Sequence, residues 1–190
     1  MRQKISAKAL IVFGMVLFLT MGGTVAYFAT SETAHNIVAT SGVKIELYEL
    51  DGPAGSKPFH DLENIAAGET YSKIPYVENI DLEPVWVRAK VLLKKVDNGS
   101  EALIEDYSAL MTIQDLGANW IANTDGYYYY NSSLSSGEQT EPIFESVKFA
   151  DSIGDEYQDA TYSLTVATEA TQVKNNGTSG LDASWTESGV

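Results

Sequence analysis

Val85-Trp86-Val87-Arg88-Ala89-Lys90-Val91-Leu92-Leu93 is the stretch that most limits how this chain can fold. Apolar residues fall on every second position, and a β-strand is the regular structure whose side chains repeat with period two. Val85, Val87, Ala89, Val91 and Leu93 are expected to face a core, with Trp86, Arg88, Lys90 and Lys94 on the opposite side. Val43 to Tyr48 alternates in the same way, and Tyr162 to Gln172 places Tyr162, Leu164, Val166, Thr168 and Ala170 on one face. Further strands are expected over Tyr71 to Val77, where Pro75 points to an edge or a bulge, and over Ile143 to Phe149. Asp51 to Pro58 and Asp81 to Pro84 read as a loop and a turn. Asn123-Thr124-Asp125-Gly126 separates Trp120-Ile121-Ala122 from Tyr127 to Tyr130, which predicts a hairpin. Alternate members of the tyrosine run should then point to opposite faces.

Leu103, Ile104, Tyr107 and Leu110 recur at helical spacing and predict a short helix within Glu101 to Leu110. Ile65-Ala66-Ala67-Gly68-Glu69-Thr70 is echoed by Leu134-Ser135-Ser136-Gly137-Glu138-Gln139, which suggests one corner used twice. Short strands with frequent turns and no strand–helix alternation give a mainly β class. The expected architecture is an antiparallel two-sheet jelly-roll-like sandwich with a short helix, preceded by an N-terminal signal helix.

That leading segment has three parts. Arg2, Lys4 and Lys8 make it basic at the start, Ala9 to Met21 is almost wholly apolar, and Gly22-Gly23-Thr24-Val25-Ala26 ends it with small residues. Thr24 and Ala26 fit the positions three and one residues before a signal-peptidase cut, so cleavage is expected between Ala26 and Tyr27. The alternative is a retained anchor, because no charge occurs from Ala9 to Ser31. The expected organisation is a signal peptide over 1–26, an N-terminal segment over 27–42, a β-sandwich domain over 43–173 and a flexible Gly-, Ser- and Asn-rich tail over 174–190. Contact with a membrane is expected only through the signal segment before cleavage.

Loss of the three basic residues in 1–26 takes the net charge from −14 to −17. A surface so acidic repels nucleic acid and anionic lipid. With no cysteine in the chain, disulfides and thiolate chemistry are excluded, and stability has to come from packing.

Catalytic patterns are weak. There is no His-Glu-x-x-His, no nucleophile elbow and no phosphate loop, and the only histidines are His35 and His60. No catalytic, cofactor-binding or metal residues are assigned, no cofactor is expected, and the chain is read as a non-enzyme. Asp151-Ser152-Ile153-Gly154-Asp155-Glu156 offers oxygen ligands for calcium but lacks the EF-hand spacing, so a solvated loop is the simpler reading.

Gly22 to Thr30 and Ala39 to Leu47 resemble the start of the TasA/camelysin family, with a Gly-Gly-Thr-x-Ala cut, an aromatic, a spacer, Ser-Gly and an alternating strand. The likeness continues through Ala67 to Lys73, Val77-Glu78-Asn79, Pro84 to Arg88 and Thr168 to Gln172. The resemblance implies an exported protein of Gram-positive bacteria, processed by a dedicated ER-type signal peptidase and placed in the extracellular matrix or at the cell surface. It implies a jelly roll that self-assembles into biofilm fibres, each subunit donating its N-terminal segment to the next subunit's sheet. Tyr27, Phe28, Ile37 and Val38 would belong to that donor segment. A surface-exposed ligand- or glycan-binding module is the alternative from another class, and a camelysin-like metallopeptidase is a third.

Overall fold

A computed structural model describes residues 36–40, 42–60, 62, 65–97, 100–153 and 161–185, with the backbone alone described for 36–40. The chain is mainly β, and every strand pairing is antiparallel. The strands are β1 (Asn36–Thr40), β2 (Val43–Asp51), β3 (Lys57–Pro58), β4 (Thr70–Ser72), β5 (Ile74–Asn79), β6 (Val85–Asp97), β7 (Ser100–Ile104), β8 (Met111–Gln114), β9 (Trp120–Ala122), β10 (Tyr128–Tyr130), β11 (Ser146–Phe149) and β12 (Thr161–Gln172).

These strands form three sheets. The first runs β1-β2-β3 with β5 also on β2, the second runs β12-β6-β10-β9 with β7 also on β6, and the third runs β4-β11-β8. The long antiparallel pair β6–β12 is the backbone of the second sheet, in unbroken register from Thr161 opposite Val96 to Gln172 opposite Val85.

The alternation read in the sequence sets the core. Val85, Val87, Ala89, Val91 and Leu93 are all buried, as are Tyr162, Leu164, Val166, Thr168 and Ala170 across the ladder. Val43, Ile45 and Leu47 of β2 and Val77 of β5 join the same cluster from the first sheet, and Met111, Val147 and Phe149 from the third. Burying each such side chain contributes about 1.5–3 kcal/mol, so the period-two pattern alone decides which sheet face is inside.

The strand expected over Tyr71 to Val77 is two strands. β4 belongs to the third sheet and β5 to the first, and the chain changes sheet at Lys73, whose N–H bonds Glu145 O at 3.1 Å. Pro75 sits on the edge strand β5. Val77 N–H and O both bond to Thr140, and Asn79 N–H bonds Glu138 O. By period two, the position of the missing Pro75 N–H also faces away from β2, so no ladder bond is lost there. The strand expected from Ile143 begins only at Ser146.

The helix expected within Glu101 to Leu110 is not formed. Ser100–Ile104 is β7, a hairpin partner of β6 with Asp97 opposite Ser100 and Leu93 opposite Ile104. The β6 edge outweighs a helical spacing that rests on four residues. The only helical turn among the described residues is a three-residue 3-10 turn, Pro53–Gly55.

The two echoed corners share a geometry. Gly68 and Gly137 have φ of +77° and +76°, and Ile65 and Leu134 are both buried. Glu69 N–H bonds Ala66 O, and Glu138 N–H bonds Ser135 O. In each corner the apolar residue anchors the turn and the glycine supplies the left-handed backbone.

Candidate functional site

The richest polar site lies on the outer face of the second sheet. On β6, the residues that do not face the core carry Trp86, Arg88 and Lys90 outward, as the alternation requires. Arg88 is nonetheless only 8% exposed. Its Nε donates to Glu169 Oε2 at 2.8 Å, its Nη2 stands 2.6 Å from the same oxygen, and its Nη1 donates to Tyr129 Oη at 3.2 Å. Glu169 is the residue directly across the ladder on β12.

Two rings enclose the guanidinium. Its Cζ lies 4.0 Å from the Tyr127 ring centroid and 4.5 Å from that of Trp185. Arginine suits this position because its planar, weakly hydrated cation stacks on aromatic faces while its N–H groups fork to a carboxylate. Tyr127 Oη donates to Glu169 Oε1 at 3.1 Å, and Tyr129 Oη donates to Asp125 Oδ2 at 2.6 Å.

The β9–β10 hairpin supplies these tyrosines. Gly126, with φ of +84°, closes the turn, and Tyr127 N–H donates to Asp125 Oδ1. Tyr127 and Tyr129 point to the arginine, while Tyr130 packs in the core at 5.1 Å from Trp120 and Tyr128 packs against that core. The alternation expected for the four tyrosines is therefore the observed one.

Titration follows from this packing. Burial pushes the Tyr129 hydroxyl up, and its bond to Asp125 adds to the shift. Burial, then the charge of Glu169 and the bond to it, raises Tyr127. Burial pushes the Asp125 carboxyl up, but hydrogen bonds from Tyr129, Tyr127 N–H and Asn123 outweigh it and hold the group below the usual carboxylate range. For Arg88 burial works downward, and the bonds to Tyr129 and Glu169 outweigh it, so the guanidinium stays charged.

Residues 174–185, expected as a free tail, are fastened over this face. Trp86 Nε1 donates to Asn176 O at 3.1 Å, Asn176 Nδ2 donates to Thr171 Oγ1 at 2.9 Å, and Trp185 Nε1 donates to Gly180 O at 2.9 Å. The Trp185 ring meets Tyr129 edge-on at 5.8 Å. The aromatic enclosure is thus filled by the chain's own Arg88, and it joins the hairpin, the central ladder and the C-terminal residues.

The residues singled out in the sequence lie elsewhere. Ala26, Tyr27 and Phe28, together with His35, fall outside the described residues. Ile37 and Val38 lie in β1, opposite Glu46 and Ile45 of the chain's own β2. The other edge of β1 pairs with no strand among the described residues. His60 is exposed. Of the acidic stretch, Asp151 to Ile153 is described, and Asp151 Oδ1 stands 3.3 Å from Lys148 Nζ. Among the described residues no group of three or more His, Asp or Glu side chains is placed to hold a metal ion, and no helix is long and apolar enough to cross a membrane.

Sequence reasoning missed the Arg88 site as a unit. Arg88, Glu169 and Trp185 come from distant stretches, and no local spacing links them. The available signal was indirect: a lone tryptophan in a polar stretch and an arginine on a strand beside Trp86. No family model, no curated protein and no solved structure matches this chain.

Proposed function

We propose that the chain is a secreted structural protein of the extracellular matrix, a biofilm fibre subunit that assembles by strand addition. The observation that carries this reading is the position of β1. It begins at Asn36, ten residues after the proposed cut at Ala26, and it lies at the end of the first sheet with its second edge unpaired among the described residues. An unpaired edge presents a row of N–H and C=O groups, and a strand from another subunit satisfies them. The export-type N-terminus and the ordered resemblance to the TasA/camelysin family support the same reading.

On this reading cleavage is the trigger. While residues 1–26 remain attached, the start of the segment at Tyr27 and Phe28 is tied to the signal helix, and release lets it pair with a neighbour. The chain's contribution is backbone pairing and packing, with no bond made or broken by its own side chains.

The pairing of Ile37 and Val38 with β2 decides how the test is built. Removing them would open the chain's own sheet, so the informative deletion spans Tyr27 to His35 only. Electron microscopy of protein beginning at Tyr27 is expected to show fibres. Protein beginning at Asn36 is expected to stay monomeric with an unchanged circular dichroism spectrum. Equal fibre formation by both forms would refute the donor role.

A further inference from the structure

The outer face of the first sheet carries two residue pairs set directly across the β2–β5 ladder. Tyr48 stands opposite Tyr76, and Glu46 stands opposite Glu78. All four side chains are half-buried, so the face is open to small molecules. The two tyrosine rings lie parallel, with centroids 4.9 Å apart and 4° between their planes. Tyr48 Oη donates to Glu46 Oε2 at 2.8 Å, and Gln139 Nε2 donates to Glu78 Oε2 at 2.8 Å.

Three features of this pair suit it to oxidation. The ladder holds the rings side by side, so their meeting is already arranged. Two carboxylates beside them favour the loss of an electron from the rings, although like charges directly opposite one another cost stability. A base also stands within hydrogen-bond reach of the Tyr48 proton. The bond to Glu46, burial and the charges of Glu46 and Glu78 hold the Tyr48 hydroxyl above the usual phenol range, so at neutral pH the electron must leave together with that proton.

The other candidates are worse placed. Tyr127 and Tyr129 lie 6.3 Å apart and are tilted by 56°. Their hydroxyls also meet carboxylates, but the Arg88 guanidinium covers the Tyr127 ring and donates to Tyr129 Oη. A cation in contact with a ring opposes electron loss from it. The chain has no cysteine to intercept an oxidant. Among the described residues Met111 is the one methionine, and it is buried, as are Trp86 and Trp120. The Trp185 ring also rests against Arg88.

We propose that Tyr48 and Tyr76 form a modification site, where one-electron oxidation by peroxide and a haem peroxidase joins the two rings by a carbon–carbon bond. Each tyrosine gives up one electron to the oxidant and one proton, that of Tyr48 passing to Glu46 and on to water. Peroxide takes up the two electrons with two protons and becomes two molecules of water. The two phenoxyl radicals couple through a Cε atom of each ring. The hydrogen on each joined Cε then moves to its oxygen, and both rings become aromatic again. The product is dityrosine, with two hydrogens fewer than the starting pair. It ties β2 to β5 and closes the loop between them, which stabilises a fold by restricting the unfolded chain. The bridge needs no fibre, and strand addition needs no bridge.

Treating the purified chain in dilute solution with hydrogen peroxide and a haem peroxidase tests the site. The monomer should lose the mass of two hydrogens and gain the blue fluorescence of dityrosine. Fragmentation of the digested protein should place the link between Tyr48 and Tyr76. Tyr48→Phe and Tyr76→Phe should each lose that link. Glu46→Gln, with an unchanged circular dichroism spectrum, should form it about tenfold or more slowly, because an amide is a poor proton acceptor. The link mapped in the unaltered chain decides without any variant. No dityrosine, a link at another tyrosine pair, or links between chains only would overturn the proposal. An unchanged rate in Glu46→Gln would overturn the role given to its carboxylate.

Discussion

Lys73 Nζ and Glu49 Oε1 stand 2.6 Å apart inside the protein, and the same ammonium lies 3.5 Å from the Phe59 ring centroid. Lys73 is fully buried and Glu49 is 8% exposed. The pair sits where the chain leaves β4 for β5, so it ties the change of sheet to β2. Desolvation makes such a pair costly to form and more costly to break.

Removing one partner should therefore be far worse than removing both. Glu49→Leu or Lys73→Met alone is expected to cost about 3–5 kcal/mol, because the remaining charge has lost its counter-ion in a buried site. The double variant Glu49→Leu with Lys73→Met is expected to range from neutral to about 1–4 kcal/mol more stable. Urea denaturation of the four proteins gives the coupling. A double variant as damaged as the sum of the singles would mean zero coupling, so that neither charge depends on the other.

The fold class was legible because the core-facing positions of β6 and β12 fall on period two; Trp86, Arg88, Glu169 and Thr171, on the outer face, are buried as well. The hairpin at Asn123 to Gly126 was legible for a similar reason, since its turn chemistry is local. The segment from Glu101 to Leu110 misled because Leu103, Ile104, Tyr107 and Leu110 happen to fall at helical spacing. In the fold Leu103 points outward beside Lys94, and only Ile104, Tyr107 and Leu110 reach the core. The Arg88 enclosure was not legible, because its members are brought together by the β6–β12 register and by the path of residues 174–185.

Trp185 is expected to control the attachment of the C-terminal residues. Trp185→Ala removes the ring over Arg88 and the edge contact with Tyr129, a loss of about 0.5–2 kcal/mol in cation–π attraction plus the buried area. The central ladder keeps its core, so the effect should appear as faster proteolysis confined to residues 174–185, with a small change in global stability. Arg88→Ala should be much worse, about 3–5 kcal/mol, because Glu169 is left buried without its cation. Limited proteolysis and thermal unfolding of both variants separate the two roles. Equal losses of global stability would contradict them.

Alkali should weaken the folded state through its tyrosines. Burial, with the charge of Tyr128 and the bond between them, pushes Tyr107 up to about 12, and burial also raises Tyr127, Tyr128 and Tyr129. In the unfolded chain these hydroxyls ionise near 10. The folded state therefore holds its protons longer, and unfolding is favoured as soon as the free hydroxyls begin to ionise. This stabilising contribution is whole below about pH 10 and is lost as pH rises toward about 12. Denaturation midpoints across that window should fall steadily, and the ultraviolet signal of tyrosinate should rise together with loss of strand signal. Full tyrosine ionisation with the sheet spectrum unchanged would show that these hydroxyls are accessible and unshifted.

The twin corners make a matched experiment. Gly68 and Gly137 both have φ near +77°, where a Cβ is strained whatever the free space. At Gly137 an added Cβ meets nothing within 4 Å, so Gly137→Ala isolates the backbone term, expected at about 1–2 kcal/mol. At Gly68 the added Cβ comes within 3.0 Å of Asp151 Oδ1, the end of an exposed side chain that can swing aside. Gly68→Ala should therefore cost nearly the same, and the two should add in the double variant because the corners share no partner. Urea denaturation measures all three. A much larger cost at Gly68 would mean that Asp151 is held in place more firmly than its contact with Lys148 accounts for.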